Sequence, residues 1–134
     1  MNSLNVSKVN DLTKSGQVAL PVIFNILDKW KCSQINQMAI LGLTSRSTLN
    51  KYRSNPESAK VSPDLLERMS YLLNIHKGLR ILFSNDDSVY NWINKPNEHP
   101  YFAGASAMDV MKKGKVIDLY NVAARINAFR GGRS

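Results

Sequence analysis

Apolar residues recur at intervals of three and four positions in several segments of this chain, which is the spacing of an amphipathic helix. The first such segment contains Ala19, Val22, Ile23, Ile26, Leu27 and Trp30. Pro21 fits the first turn of a helix, because the N–H that proline lacks has no helical partner there. Residues 1–17 are polar and show no apolar spacing, so we expect a flexible leader before a first helix that starts near residue 18.

Two short helices separated by a glycine are predicted next. Ser33 is placed to cap the first, and Gly42 to end it in a left-handed conformation. Thr44 or Ser45 can cap the second, which carries Leu49 and Tyr52. This arrangement is typical of a helix-turn-helix, although Leu49 lies one residue later than in the commonest template, so the turn can be one residue longer.

A long helix is predicted to follow a loop at residues 54–61. Ser62, Pro63 and Asp64 supply a capping hydroxyl, a first-turn proline and an acid that faces the helix dipole. Its apolar face contains Leu65, Met69, Leu72, His76, Leu79 and Phe83, with Leu66 and Leu73 beside them. About 20 residues at ~1.5 Å each can bridge both halves of the protein. Gly78 inside this helix indicates either a close helix crossing or simple tolerance.

Shorter elements complete the pattern. We expect a short helix at residues 89–93, an irregular loop at 95–104, and a helix that starts at a capping-box pair, Ser106 and Asp109. An amphipathic last helix stops at a pair of glycines and carries Leu119, Val122, Ile126 and Phe129. No segment alternates as a strand does, so the predicted fold is all-α.

The charge of the chain indicates what kind of partner it binds. The 134 residues carry a formal net charge of +8, which favours an anionic partner such as nucleic acid. Residues 1–60 hold eight basic and three acidic residues. Between positions 29 and 56 there is no acid, and the basic residues are Lys29, Lys31, Arg46, Lys51 and Arg53.

The second short helix is the predicted DNA-recognition helix. Hydroxyls and backbone N–H groups at a helix N-terminus suit phosphate oxygens, arginine can pair with guanine, and asparagine can pair with adenine. We expect Arg46 and Asn50 to reach bases and Lys51 and Arg53 to contact phosphate. The predicted DNA-binding residues are Thr44, Ser45, Arg46, Ser47, Asn50, Lys51 and Arg53. The other interpretation is that these side chains form the solvated face of an ordinary amphipathic helix.

Residues suited to catalysis are sparse. One cysteine, Cys32, excludes an intramolecular disulfide framework and a zinc site built on paired cysteines. His76 is expected to be a packed, hydrogen-bonded side chain, and Asp86-Asp87 to form a helix-ending turn instead of part of a nuclease site. No run approaches the ~18 apolar residues of a membrane span. We therefore expect a cytoplasmic, non-enzymatic protein without metal, cofactor, small-molecule substrate or membrane contact.

A series of residues resembles a known family. It includes Leu41-Gly42-Leu43, Ser45-Arg46-Ser47-Thr48, the segments 66–79 and 82–83, Trp92, Pro96-Asn97 and the segment 102–111. Over residues 18–132 the chain resembles the Xre/MbcA/ParS antitoxins. The resemblance implies a type II antitoxin that binds and silences a RES-domain toxin, an NAD-consuming protein similar to ADP-ribosyltransferases, and that represses the toxin–antitoxin operon.

The resemblance also indicates where a toxin would bind. Segments 119–122 and 130–132 match positions that family members show near the toxin-facing end. Many relatives have a basic pair and an Asp where this chain has Ala123-Ala124 and Asn127, which leaves the later arginines as candidate polar contacts. The expected toxin-binding residues are Phe102, Arg125, Phe129, Arg130, Gly131, Gly132 and Arg133. In this hypothesis the last helix and its tail block the toxin's NAD cleft; the alternative is a frayed, solvated tail.

The expected organisation is therefore a flexible leader (1–17), an Xre-like helix-turn-helix DNA-binding module (18–61) and a small helical toxin-binding domain (62–134) joined through the long helix. Helix-turn-helix proteins usually bind DNA as two-fold dimers, so we expect a homodimer whose partners are operator DNA and a RES-domain toxin. The alternative function is a stand-alone transcriptional regulator whose C-terminal half dimerises or senses a ligand.

Overall fold

Helices form the secondary structure throughout the part of the chain that the structure describes. The computed structural model describes the backbone of residues 3–131 and the side chains of residues 11–131. No strand occurs within these residues, which confirms the predicted all-α fold. The α-helices, numbered in chain order, are α1 (Ser3–Lys29), α2 (Gln34–Leu41), α3 (Arg46–Ser54), α4 (Pro63–Leu82), α5 (Asp86–Asn91), α6 (Ala107–Met111) and α7 (Val116–Arg130). Short 3-10 turns lie at Pro56–Ser58 and Trp92–Asn94.

The first helix is longer than its apolar spacing predicts. It begins at Ser3, so most of the expected leader is helical, and Pro21 lies inside the helix instead of in its first turn. The side-chain amide of Gln17 holds this part of α1, because it donates hydrogen bonds to the carbonyl oxygens of Glu57 at 3.0 Å and Ala59 at 3.1 Å. Once one turn is held, each further residue adds a backbone hydrogen bond at low cost.

The buried face of α1 is wider than the predicted one. The predicted residues Ile23, Ile26, Leu27 and Trp30 are buried, and so are Leu20 and Phe24, whereas Val22 is 51% exposed. At Gly16 the helix approaches the chain before α4 so closely that a Cβ atom would lie 2.5 Å from Cγ1 of Val61. Because α1 has apolar residues on more than one side, spacing alone does not identify the side that meets the core.

The helix-turn-helix is built by the predicted caps. Ser33 Oγ accepts a hydrogen bond from the backbone N–H of Asn36, and Ser45, not Thr44, caps α3. Gly42 ends α2 with φ +69, and the backbone N–H of Leu43 donates to the carbonyl oxygen of Met38 at 2.9 Å. These bonds form the Schellman motif that glycine favours at a helix end. They set the direction in which the chain leaves α2 and enters the turn.

The long helix α4 starts at the predicted Ser62 cap and is buried on more than one side. Its buried residues are Leu65, Arg68, Met69, Leu72, Ile75, Gly78 and Leu79, whereas the predicted face residues His76 and Phe83 are half-buried. Helices from both halves of the chain pack on α4, which is why its buried face is wider than the predicted stripe. The hydrophobic core accordingly runs through both halves without interruption.

The second half follows most of its predicted local signals, but the short helix predicted at residues 89–93 begins at Asp86 and is followed by the 3-10 turn at Trp92–Asn94. Asn85 caps α5, so Asp86 and Asp87 lie in the first turn of a helix and do not end one. Acidic side chains are stabilised there by the helix dipole. The capping box of Ser106 and Asp109 at the start of α6 is confirmed. From α6 the chain passes through a tight turn at residue 114 into α7, which packs against α4.

The helices α4 and α7 approach each other closely at Gly78 of α4. A Cβ atom on Gly78 would lie 2.5 Å from Cγ2 of Ile126, which is too close for two carbon atoms. Of the two interpretations of Gly78, the close crossing is the correct one. The γ-methyl belongs to a β-branched side chain whose χ1 angle is stiff in a helix, so it cannot swing away.

We expect Gly78→Ala to destabilise the protein although alanine is the better helix former. Relief of the contact requires α4 and α7 to separate, and overpacking of this kind costs about 1–3 kcal/mol against about 1 kcal/mol gained in helix propensity. Urea unfolding followed by circular dichroism measures the difference. Ser70→Ala, at an exposed position of α4, is the control. A Gly78→Ala protein as stable as the wild type would contradict the crossing.

Candidate functional site

One face of α3 carries most of the predicted DNA-binding side chains. Arg46 and Asn50 are one helical turn apart, as are Ser47 and Lys51, so the four side chains share a face. All four are exposed. Thr44 is exposed immediately before the helix. The residues of α3 include no acid, so this face is polar and basic along its length.

Ser45 has a structural role at the start of that face. Its hydroxyl accepts a hydrogen bond from the backbone N–H of Thr48 at 3.1 Å and donates to Oγ1 of Thr48 at 2.8 Å. The serine therefore fixes the first turn of α3. The predicted contact of Ser45 with DNA stays a prediction.

Arg53 is held within the protein. Its Nη2 atom lies 2.5 Å from Oδ2 of Asp28, and its Nη1 atom donates to Oε1 of Gln37 at 3.1 Å. The guanidinium also lies over the ring of Phe24, 4.8 Å from the centroid. These contacts connect the C-terminal end of α3 to α1 and α2. Arg53 thus helps to position α3; its side chain is 32% exposed, and its contact with phosphate stays a prediction.

An aromatic cluster supports the end of α7. The ring of Phe129 lies 6.4 Å from Trp92 and 5.4 Å from His99, both edge to face. Phe102 meets Trp92 at 6.0 Å and Tyr101 at 4.9 Å. Such pairs are worth about 0.5–1.5 kcal/mol each beyond their buried area. The cluster therefore anchors the last turn of α7 on the loop at residues 95–104.

The predicted toxin-binding residues separate into buried and exposed members. Phe102 is 3% exposed and supports the surface from beneath, and Phe129 is half-buried. Arg125 is half-buried, and Arg130 and Gly131 are exposed where α7 ends. Gly132 and Arg133 lie outside the described residues. The end of α7 therefore offers one exposed arginine on a firmly held base.

A groove between α4 and α7 was not predicted from the sequence. It has a volume of about 400 Å³. Tyr71 and Tyr120 meet edge to face at one wall, with ring centroids 5.7 Å apart, and Lys77 and Arg130 contribute cations to its lining. Tyr120 belongs to a segment that resembled the toxin-facing end of the family, but its partner on α4 follows only from the crossing of the two helices.

Groups suited to chemistry are isolated in the described part of the chain. No three His, Cys, Asp or Glu side chains come together there in a way that could hold a metal ion. Burial, assisted by the charge of Asp28, raises the pKa of the Cys32 thiol to about 12, which makes it unreactive. None of the described helices is long and apolar enough to cross a membrane.

His76 is packed against a tyrosine. Its Nε2 atom lies 3.1 Å from the hydroxyl of Tyr90, and the two rings are stacked with centroids 5.6 Å apart. Burial lowers the pKa of His76, and the nearby cations Arg80 and Lys29 lower it further. The neutral imidazole is thus the form that the fold favours.

Comparison with known proteins assigns both halves of the chain. Residues 15–74 match the antitoxin Xre-like helix-turn-helix domain, and residues 78–132 match the antitoxin Xre/MbcA/ParS C-terminal toxin-binding domain. The chain belongs to the Xre-type antitoxins. A Sinorhizobium fredii protein, the uncharacterized protein y4oB, is 40% identical to this antitoxin over 113 residues, which cover 84% of each chain.

The matched domains of the antitoxin meet inside α4. The first ends at Asn74 and the second begins at Gly78, and both positions lie within Pro63–Leu82. The domain boundary predicted from the sequence, between residues 61 and 62, lies instead in the loop before α4. Because the helix continues through the junction, the toxin-binding domain is joined to the helix-turn-helix domain without an intervening loop.

The lowered pKa of His76 predicts how the stability of the antitoxin depends on pH. Below the unfolded-state pKa of about 6.5, the unfolded chain takes up a proton more readily than the folded protein does. The neutral form of His76 therefore contributes its full stabilisation above that pH. The free energy of unfolding decreases as the pH falls through it. Urea unfolding should show that the free energy of unfolding falls less between pH 7.5 and pH 5.5 for His76→Gln than for the wild type. Equal losses would contradict a depressed pKa.

Proposed function

We propose that this antitoxin neutralises a RES-domain toxin by covering its active site, and that it represses its own operon by placing α3 in the major groove of operator DNA. The exposed, acid-free face of α3 is the observation that carries the DNA-binding part of the proposal. The RES identity of the toxin rests on the family resemblance of residues 102–111 and of the C-terminal segments.

DNA recognition on this proposal divides the α3 face into two roles. Arg46 and Asn50 follow the helix N-terminus and can form paired hydrogen bonds to the edges of guanine and adenine. Ser47 and Lys51 contact phosphate and set the register of the helix in the groove. Arg53 holds the helix through Asp28, and the exposed part of its side chain adds a phosphate contact.

Toxin inhibition on this proposal is steric. The aromatic cluster supports the last turn of α7, so the exposed Arg130 lies on a firmly held helix end. An arginine in a toxin cleft can form bidentate hydrogen bonds with a carboxylate of the lining. Neither function requires catalysis by the antitoxin, and we propose no cofactor.

We also propose that the antitoxin acts as a homodimer. Two half-site contacts add in a two-fold complex, which is how a small helix-turn-helix domain reaches useful affinity. Val18 and Val22, one turn apart on α1, are 76% and 51% exposed and give an apolar surface for a second copy. A stand-alone regulator remains the alternative function, and co-purification with a RES-domain toxin distinguishes it from an antitoxin.

Substitutions on α3 should separate phosphate contacts from base contacts. Lys51→Ala is expected to weaken binding to all DNA sequences and to lower the slope of log Kd against log salt concentration by about one. Arg46→Ala is expected to reduce the preference for operator over random DNA, at about 1–3 kcal/mol for a lost bidentate pair. Fluorescence anisotropy at several salt concentrations measures both effects. Lys113→Ala, an exposed lysine of the other domain, is the control.

An unchanged salt slope for Lys51→Ala would contradict the phosphate contact. If Arg46→Ala weakens operator and random DNA equally, Arg46 does not read a base. A wild-type protein that binds neither DNA would contradict the repressor function as a whole.

Stepwise truncation tests the inhibitory end of α7. A chain that ends at Phe129 keeps the aromatic cluster but lacks Arg130 and the tail, so we expect it to fold and to lose at least tenfold in inhibition of NAD consumption by the toxin. A chain that ends at Gly131 keeps Arg130 and separates its effect from that of the last residues. Full inhibition by the chain that ends at Phe129 would contradict occlusion by the tail.

A further inference from the structure

The groove between α4 and α7 has two chemically different ends. At one end Tyr71 and Tyr120 meet edge to face, and at the other Lys77 and Arg130 contribute cations. Tyr71 and Lys77 are separated by six positions of α4, so the two ends lie about 9 Å apart along the helix axis. An extended peptide rises about 3.3 Å per residue, and about three residues therefore span the groove.

Small residues keep the groove open between its two ends. Gly78 lines it on α4, and Ala123 and Ala124 line it on α7. The Cδ atom of Arg130 lies 3.5 Å from the position that a Cβ atom on Gly78 would take. The aliphatic part of the Arg130 side chain therefore lies against α4, at the residue next to Lys77. The two cations thus come from different helices but belong to the same end of the groove.

The positive charge at this end is not neutralised by the residues around it. Among the described residues that line the groove, none is acidic. Within residues 11–131, neither Lys77 nor Arg130 forms an ion pair with a carboxylate. Glu67 belongs to the other end, where it accepts a hydrogen bond from the hydroxyl of Tyr71 at 3.1 Å. A cleft with charge of one sign concentrates ligands of the opposite sign, so the cationic end suits a carboxylate.

Two other depressions in the described part of the chain have balanced charges. A larger groove, of about 1010 Å³, lies between α1 and the 3-10 turn at Pro56–Ser58 and is lined by both Lys14 and Glu57. A depression of about 390 Å³ at the start of α5 is lined by two lysines and two aspartates: Lys29, Lys31, Asp86 and Asp87. The groove between α4 and α7 differs from both because its charged side chains have one sign.

We propose that this groove binds a short acidic segment of the toxin. A carboxylate of the segment lies between Lys77 and Arg130, and an apolar side chain about three residues away packs on Tyr71 and Tyr120. The inference rests on the proposed function, which brings Arg130 to a toxin carboxylate, and it adds the surface that holds the rest of that segment. One wall of the groove is α7 of the toxin-binding domain, so the occupant extends the same interface.

The groove contributes to the choice of toxin on this proposal. A toxin with an acid at the right place neutralises Lys77 and Arg130 when it covers them. A toxin without that acid leaves two cations desolvated and unpaired, which disfavours the wrong partner. Lys77 is therefore a specificity-determining residue, although it lies on α4 and far in sequence from the tail that blocks the active site.

Lys77→Ala tests the cationic end without a change in the tail. We expect the Kd for the RES-domain toxin to rise about fivefold and to depend less on salt, because one ion pair across the interface is lost. Biolayer interferometry at several salt concentrations measures both effects. Lys113→Ala removes an exposed lysine of the same domain outside the groove and is the matched control. Equal Kd values for Lys77→Ala and the wild type would overturn the proposal.

A second variant fills the groove and leaves its charge unchanged. Ala124 is exposed, so the fold can accept a larger side chain at this position. In Ala124→Leu the added carbon atoms occupy space that the toxin segment needs, and the Kd should rise about tenfold. Circular dichroism of the variant checks that the helices are intact. Unchanged affinity in Ala124→Leu would show that the toxin does not enter the groove.

Photocrosslinking identifies the occupant directly. Benzoylphenylalanine replaces Asn74, which is exposed on α4 between the two ends of the groove, and mass spectrometry identifies the peptides that it captures from the toxin complex. We expect a toxin peptide that contains Asp or Glu. A peptide of the antitoxin itself would reveal a second copy in the groove. That result, a toxin peptide without an acid, or no crosslink would each overturn the proposal.

The same measurements separate this inference from the proposed function. A wild-type antitoxin that binds no RES-domain toxin would overturn both. If the wild type binds and inhibits the toxin, but Lys77→Ala and Ala124→Leu bind it equally well, the proposed function holds and only the groove is wrong. Weaker binding in both variants, with no change in Lys113→Ala, would support the acidic segment as the occupant.

Discussion

A buried guanidinium must have its donors satisfied, and this requirement fixes how three parts of the antitoxin meet at Arg68. An uncompensated charge at this depth would cost several kcal/mol, whereas a carboxylate and three carbonyl oxygens offset that cost here. The acceptors come from α2, from α4 itself and from the turn before α7. Their geometry leaves little freedom to any of the three, so the helix-turn-helix and the toxin-binding domain are held in one arrangement.

The packing around α4 reinforces this arrangement. Gly16 lets α1 approach Val61 just before α4, and Gly78 lets α7 approach α4 itself. In both places the absence of a side chain brings two elements closer than any other residue would allow. The core that results is continuous between the matched domains, which explains how short helices such as α2 and α6 are stable although each would be marginal in isolation.

Local signals in the sequence predicted the helices well. The caps at Ser33, Ser62 and Ser106 act within three residues of their partners, so their roles can be read from the sequence alone. Long-range contacts could not be predicted in this way. The N-terminal part of α1 is held through Gln17, which bonds to residues about forty positions away, and nothing in a polar segment reveals such a contact.

The candidate sites also combine features that local spacing predicts with features that depend on long-range contacts. The exposed face of α3 follows from helical spacing, and so does its basic character. The internal role of Arg53 depends on Asp28, 25 positions earlier, and that of Arg68 on a turn 46 positions later. A charged residue in a polar segment has the same appearance in the sequence whether it serves a ligand or the fold. Phe102 belongs to the segment that resembles the family, and the structure adds that its ring is 3% exposed and packs beneath the surface.

The junction of the two domains inside α4 has a consequence for how such antitoxins can diversify. An α-helix turns by about 100° per residue, so a single residue gained or lost between positions 74 and 78 would rotate one domain by that angle relative to the other. When domains are exchanged between relatives, the number of helical residues in the junction must therefore stay the same, so that the two domains keep their relative orientation. The number of residues in the junction therefore sets the angle between the helix-turn-helix domain and the toxin-binding domain.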